Sequence, residues 1–348
     1  MTATTHPVPV TGRRRPVSWA RLAWVTLRQR RGAMIGLGVF LGLFAIYLVV
    51  MGVLQNHAYA QVAACQHGPA NGTVKCQQLA QAFSNDYWGG NASVLLSGGA
   101  QSVSSLLFVV PVLLGAFLGA PALARELSDG TFRFAWTQGA GRTRWALSTL
   151  VLPAVVAVTA TGAFTALFYW YYRPFLEDHQ VSEMLPLGFA LLGTAFAAWT
   201  LFCYALAAFF GALVRRTIPA IVLTLVVYVV LATATAISIR PRYMTPVSVP
   251  TASINNSSGW VISNFARTPG GQAVSLNYLY QHLPASVRNS QDQNAFTDWL
   301  TARHYTQWTS LQPDSRFWPF QLIEGGWLLA LSVALIAGTV WLVRRRGA

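Results

Sequence analysis

Residues 33–54 read AMIGLGVFLGLFAIYLVVMGVL, a run of twenty-two positions without one formal charge. About 20 apolar residues in a helix cross the roughly 30 Å of a bilayer's hydrocarbon. The run is too long for a cleaved leader and no small-residue cleavage pattern follows it, so it reads as a retained span. Five more stretches of this kind follow, at 102–124, 146–170, 187–213, 218–239 and 321–343. The expected fold is therefore an all-α polytopic membrane protein with six transmembrane helices. Composition agrees. The 348 residues are 54% hydrophobic and 10% charged, with a mean hydropathy of +0.43, where soluble domains carry roughly 25% charge. An ordinary cytosolic enzyme, a disordered tail and a disulfide-rich miniprotein are all excluded.

Charge orients the spans. The chain holds 24 basic and 10 acidic residues, and Lys75 is its single lysine. Sixteen of the basic residues precede span 1, lie between spans 2 and 3 or 4 and 5, or follow span 6, accompanied only by Glu126 and Asp129. The opposite side carries eight basic and eight acidic residues. Cytoplasmic loops collect Arg and Lys, so the basic side is expected in the cytoplasm of a bacterial plasma membrane, with both termini there. A basic excess confined to loops that flank spans leaves no case for nucleic-acid binding. The run Tyr169-Trp170-Tyr171-Tyr172 is expected at headgroup level, where amphipathic rings concentrate.

Outside the spans, four blocks are distinguished. Residues 1–32 comprise a Thr/Pro/Arg-rich tail and an expected amphipathic interfacial helix from Pro16 to Arg31, lying on membrane lipid. Residues 33–239 hold spans 1–5 with the loop 125–145. Residues 240–320 form an external segment, read as a helical cap from the stretch Asp292–Trp308 with Trp299, Leu300, Ala302 and Trp308 packed. Residues 321–348 hold span 6 and a basic tail. Cys65 and Cys76, in the external stretch 55–101, are expected to pair as a disulfide. Gly38 and Gly42, and Gly115 and Gly119, share helix faces at a spacing that lets helices approach closely.

Missing chemistry narrows the function. A phosphate-binding P-loop requires Gly-x4-Gly-Lys-[Ser/Thr], and Lys75 stands between Val74 and Cys76; the chain has no nucleotide site of that kind. All six histidines fall outside the spans, and no Cys/His cluster has metal-ligand spacing. Neither a catalytic residue nor a metal ligand is indicated. Glu324, one turn into span 6, is the exception among the acidic residues. It either lines a pathway or outer vestibule, or sits at headgroup level with Arg316 as a distant partner. The second reading is favoured.

The loop Arg125-Glu126-Leu127-Ser128-Asp129-Gly130-Thr131-Phe132-Arg133-Phe134-Ala135-Trp136-Thr137-Gln138-Gly139-Ala140-Gly141-Arg142-Thr143-Arg144-Trp145 carries the strongest signal. It has an acidic residue at the span exit, a polar turn, aromatic residues on the wet side and a basic re-entry. Such an element can dock on a cytoplasmic partner and push two helices at once. Together with Ser315-Arg316-Phe317-Trp318-Pro319-Phe320-Gln321 leading to Glu324, it resembles the corresponding parts of ABC-2 type transporter permeases of Gram-positive, especially actinobacterial, bacteria. The resemblance implies a non-enzymatic permease subunit of an exporter, whose ATP and Mg are bound by separate ABC ATPase subunits. It implies that Glu126, Asp129, Gly130, Thr131, Phe132, Trp136, Arg142 and Arg144 form the coupling element. It also implies a second permease copy or a related permease, meeting along spans 1, 2 and 5 with Gly38, Gly42, Gly115 and Gly119 at the contact. Apolar walls suit a hydrophobic or amphipathic substrate. The rival reading is a non-transporting sensor or assembly protein whose external segment binds a ligand.

Overall fold

A computed structural model describes residues 31–88, 107–128, 142–255, 258–290 and 294–346, together with Trp24, Arg28, Ser104, Ser105 and Asp292. Helices α1 (Arg31–Gln66) and α2 (Val74–Trp88) form an unequal hairpin. Its neck is closed by the Cys65–Cys76 disulfide, with the two Cα atoms 5.7 Å apart. At 1.5 Å per residue the 36 residues of α1 extend about 54 Å, well beyond a bilayer's thickness. The arm α2 therefore packs outside the span, stacking Phe83 on Phe175 at 5.0 Å.

The pair is testable. Cys65→Ser and Cys76→Ser should migrate alike on a non-reducing gel, at the position the parent takes after reduction. Parent mobility indifferent to reductant would refute the bond. Each variant should also lose about 3 kcal/mol of stability, the chain-entropy value for closing a loop of this length.

The bundle continues with α3 (Val110–Ser128), α4 (Arg142–Glu177), the short α5 (Pro186–Leu191), α6 (Ala195–Val214), α7 (Thr217–Ala234) and, after the external segment, α11 (Phe317–Arg346). Among the described residues, five helices are long and apolar enough to cross a membrane. The remaining expected span, 102–124, is divided: Phe108 and Val109 form a turn, and the apolar helix runs from Val110 to Ala124. The expected span 187–213 is divided as well, between α5 and α6.

Helix α6 is the axis, with Trp199, Phe202, Tyr204 and most of its alanines buried. Close approach by α3 depends on small residues. A Cβ added at Gly115 would lie 2.6 Å from Tyr204 N, and one at Gly119 would meet Tyr204 O and lie 2.9 Å from Ala207 Cβ. On the facing helix, a Cβ at Gly211 would lie 2.6 Å from Ala120 O. Gly115 and Gly119 thus pack against α6 within one chain. The opposite holds for Gly38 and Gly42, where an added Cβ would meet nothing within 4 Å.

The aromatic run at the end of span 3 is divided between the protein interior and its surface. Tyr171 and Tyr172 are buried in the protein and Tyr169 is exposed. The cause is α2, whose Tyr87 packs its ring and hydroxyl on Tyr172 with the two hydroxyl oxygens 3.0 Å apart.

Residues 240–320 are where the all-α expectation fails. They contain a four-stranded antiparallel sheet in the order β1 (Val247–Pro250), β4 (Thr306–Pro313), β2 (Gly259–Arg267), β3 (Ala273–Ser275). A bulge between Val261 and Ser263 interrupts the β2–β4 register. Three short helices, α8 (Leu276–Gln281), α9 (Ala285–Arg288) and α10 (Ala295–Ala302), connect the strands. The expected helix 292–308 ends at Ala302, and Trp308 lies in β4 beneath the Arg267 guanidinium, 3.8 Å from its ring centre. Leu300 is buried with Ala266 and Leu279, with Trp299 packed beside them, whereas Ala302 is exposed.

Candidate functional site

The break between α5 and α6 creates a polar point inside an apolar bundle. Leu192 turns extended, Gly193 takes φ +70°, and α6 begins after Thr194. An L side chain at 193 would be strained by that φ, and its Cβ would lie 2.9 Å from Gln321 Cδ. Breaking a helix in a membrane frees backbone groups that lipid cannot satisfy. Gln321 of α11 satisfies them: Ala195 N–H donates to its Oε1 at 2.7 Å, and its Nε2 donates to Phe189 O at 2.8 Å and Leu192 O at 3.0 Å. Each end of the amide is used.

One turn along α11, Glu324 is 0% exposed. Its partner is Arg240, itself 3% exposed. Arg240 Nε donates to Oε2 at 2.8 Å and Nη2 to Oε1 at 2.7 Å, a bidentate fork. Trp199 Nε1–H of α6 donates to Oε1 at 2.8 Å, and Tyr243 OH to Oε2 at 3.3 Å. Trp327 Nε1–H in turn donates to Tyr243 OH at 2.9 Å. The guanidinium lies 4.4 Å from the centre of the Phe189 ring. Delivery of Arg240 depends on an irregular backbone: α7 widens into a π turn at Thr235–Ile239 and tightens into a 3-10 turn at Arg240–Arg242. Such turns change the direction in which the next side chain leaves the helix.

These contacts correct the expected partner of Glu324, which is Arg240 and not Arg316. Arg316 is occupied elsewhere, donating to Thr245 O and Gln312 Oε1, both at 2.7 Å. Glu324 faces no open vestibule in this conformation. The network contains an acid, a base and hydroxyl and indole donors, but the carboxylate is fully engaged by them. It offers no free group for acid–base or nucleophilic chemistry, and what it can do is hold the ends of α6, α7 and α11 together. Nearby, Glu183 sits in the α4–α5 connection beside Asp314; burial, and secondarily the Asp314 charge, push its carboxyl above the usual range. Among the described residues no group of three or more His, Cys, Asp or Glu could hold a metal ion.

At the other end of the bundle, Gly32, Gly36, Leu37, Phe117, Pro121, Thr217 and neighbouring residues line an apolar groove of about 700 Å³ between α1, α3 and α7. Much of α1 beyond it is exposed, including Val39, Leu43, Ile46 and Val50.

Of the expected coupling residues, Asp129, Gly130, Thr131, Phe132 and Trp136 lie outside the described residues. Glu126 lies in the last turn of α3 and Arg142 opens α4, which brackets the loop between two bundle helices. Arg144 is half-buried in the first turn of α4. The expected interfacial helix also falls mostly outside, although Trp24 and Arg28 are helical, with the Arg28 guanidinium 5.1 Å from the Trp24 ring centre. Sequence reasoning missed Arg240 and Gly193, and it quoted Gln321 in a motif without seeing its hydrogen bonds. A signal existed for Gly193: the apolar run 187–213 exceeds what one span needs and contains Gly193-Thr194.

Residues 38–240, more than half of the chain, match the family described as ABC-2 membrane transporter related. The match begins within α1, runs through α7 and ends at Arg240, before the sheet. No curated protein and no solved structure matches.

Proposed function

The chain belongs to the ABC-2 membrane transporter related family, and from that premise we propose that it is the permease subunit of an ATP-driven exporter. The observation that carries the reading is the match itself, because it spans the helices that would form a substrate pathway. In this reading the arginine-rich ends of the helices face the cytoplasm. ABC ATPase subunits bind ATP and Mg there and seat the element built from Glu126, Asp129, Gly130, Thr131, Phe132, Trp136, Arg142 and Arg144. Because that element joins α3 to α4, and α3 is locked to α6 through Gly115 and Gly119, a push on it would reach the bundle axis directly.

A second permease, identical or related, would pack on α1, α3 and α7. Supporting this contact are the open faces of Gly38 and Gly42 and the groove beside Gly36. The apolar exposure of α1 suits lipid equally well. The substrate class is hydrophobic or amphipathic, and the chain itself would hydrolyse nothing.

The test is co-purification from the native host in mild detergent, followed by an ATPase assay. A stoichiometric ABC ATPase with vanadate-sensitive turnover is the expected result. Glu126→Ala and Gly130→Trp should then retain the complex's membrane insertion while abolishing export. A clean chain with no ATPase, purified from cells that express one, would overturn the proposal and favour a sensor built on the external sheet.

A further inference from the structure

Above the end of α7, a second slot of about 620 Å³ runs from the helix onto the sheet. Its floor is apolar: Ala236 and Ile237 from the π turn, Met244 and Pro246 from the connection, and Val261 and Ile262 at the bulge in β2. Ile237 is 72% exposed and Val261 42%. Exposed apolar side chains on a spanning helix face lipid, but Val261, Met244 and Val247 sit on the segment that leaves it. A contiguous apolar patch of this kind marks a binding surface.

Its charge is one-sided. Arg242 lines the slot, and among the described residues no carboxylate does. A second guanidinium, Arg316, stands behind the wall, where its Nη1 donates to the carbonyl of Thr245, another lining residue. The adjacent Arg240 adds no net charge because Glu324 neutralises it. Trp260, also in the lining, supplies an amphipathic ring at the same level.

We propose that this slot binds an anionic phospholipid, with the phosphate held by Arg242 and an acyl chain lying over Ile237, Ile262 and Val261. Three features select that occupant. The apolar floor is continuous with the lipid-facing side of α7, so an acyl chain can pass from the helix onto the slot without meeting a polar wall. The cation stands at the end of the helix, where headgroups lie. A guanidinium pairs with a phosphate through strong charge-assisted hydrogen bonds, and its stem can lie along the apolar floor beneath. The inference rests on α7 spanning the membrane and is independent of any ATPase partner.

The test uses the whole chain in phosphatidylcholine vesicles. Val261→Cys carries a bimane probe, since Cys203 is buried and the other two cysteines are bonded to each other. Brominated phosphatidylglycerol should quench the probe at about fivefold lower mole fraction than brominated phosphatidylcholine, the factor one basic residue near a surface supplies. Arg242→Gln should abolish that preference and Arg242→Lys should keep it. Equal quenching by the two lipids, a preference that survives Arg242→Gln, or no quenching by either would each overturn the proposal; the last would mean that protein, such as a second copy of the chain, covers the slot. Loss of ATPase association would leave all of these readings unchanged.

Discussion

Glu324→Ala is expected to lower the unfolding temperature of the purified chain by on the order of 10 °C. Truncation leaves the Arg240 guanidinium without its carboxylate, in a site from which water is excluded. It also strands Trp199 Nε1–H, which donates to the same oxygen that Arg240 Nη2 does. Removing one partner of a buried pair costs about 3–5 kcal/mol, chiefly because the other charge stays behind. Arg240→Met should be comparably harmful, since it leaves the carboxylate. The double variant Glu324→Leu with Arg240→Met should recover most of the loss, as apolar replacements of whole buried pairs do. Thermal unfolding in one detergent decides the matter. A Glu324→Ala shift below about 2 °C, or a double variant worse than both singles, would show that the pair is solvated or dispensable.

That pair also shows where sequence reading stops. Spans were legible because hydrocarbon imposes a length and a composition on each helix locally, and charge bias is likewise local to each loop. Glu324 stood out as the acidic residue inside a span, yet its partner lay 84 positions away. Arg240 follows the last apolar residue of span 5 by one position, so it read as a loop cation. The π turn that carries it inward has no distinctive composition. The sheet was hidden for a related reason. β1 pairs with β4 across more than fifty residues, so neither strand has a neighbour in sequence to reveal it. Three of the four strands flank polar turns and short helices, which blur any alternation. The helix before the stretch Thr306–Pro313 stops before a left-handed His304, a position that no Gly or Pro marks in the sequence. The loop 125–145 stood out as a motif, but residues 129–141 lie outside the described residues, and the docking role expected of it requires a partner chain.

Gln321→Leu tests the other buried polar device, and its effect should be as large as that of Glu324→Ala. A leucine of similar size fills the space but removes four hydrogen bonds at once, the longest of them from Thr194 Oγ1 at 3.5 Å. Ala195 N–H, Phe189 O and Leu192 O would then be left without Gln321, and each buried unsatisfied group costs about 1–3 kcal/mol. Relaxation cannot easily restore them by closing the helix. Doing so would need Gly193 to leave φ +70° and would drive α5 against α4 and α11, where Phe189 packs on Phe317 and Phe320. The expected loss is about 3 kcal/mol or more, read as a fall of at least roughly 6 °C in unfolding temperature. Gln321→Glu separates hydrogen bonding from packing. Its carboxylate still accepts from Ala195 N–H but has no donor for the two carbonyls, so it should be destabilised as well, less so at low pH where a protonated oxygen can donate to one of them. A Gln321→Leu chain as stable as its parent would mean that the break between α5 and α6 is held by packing alone, and that the amide is incidental to it.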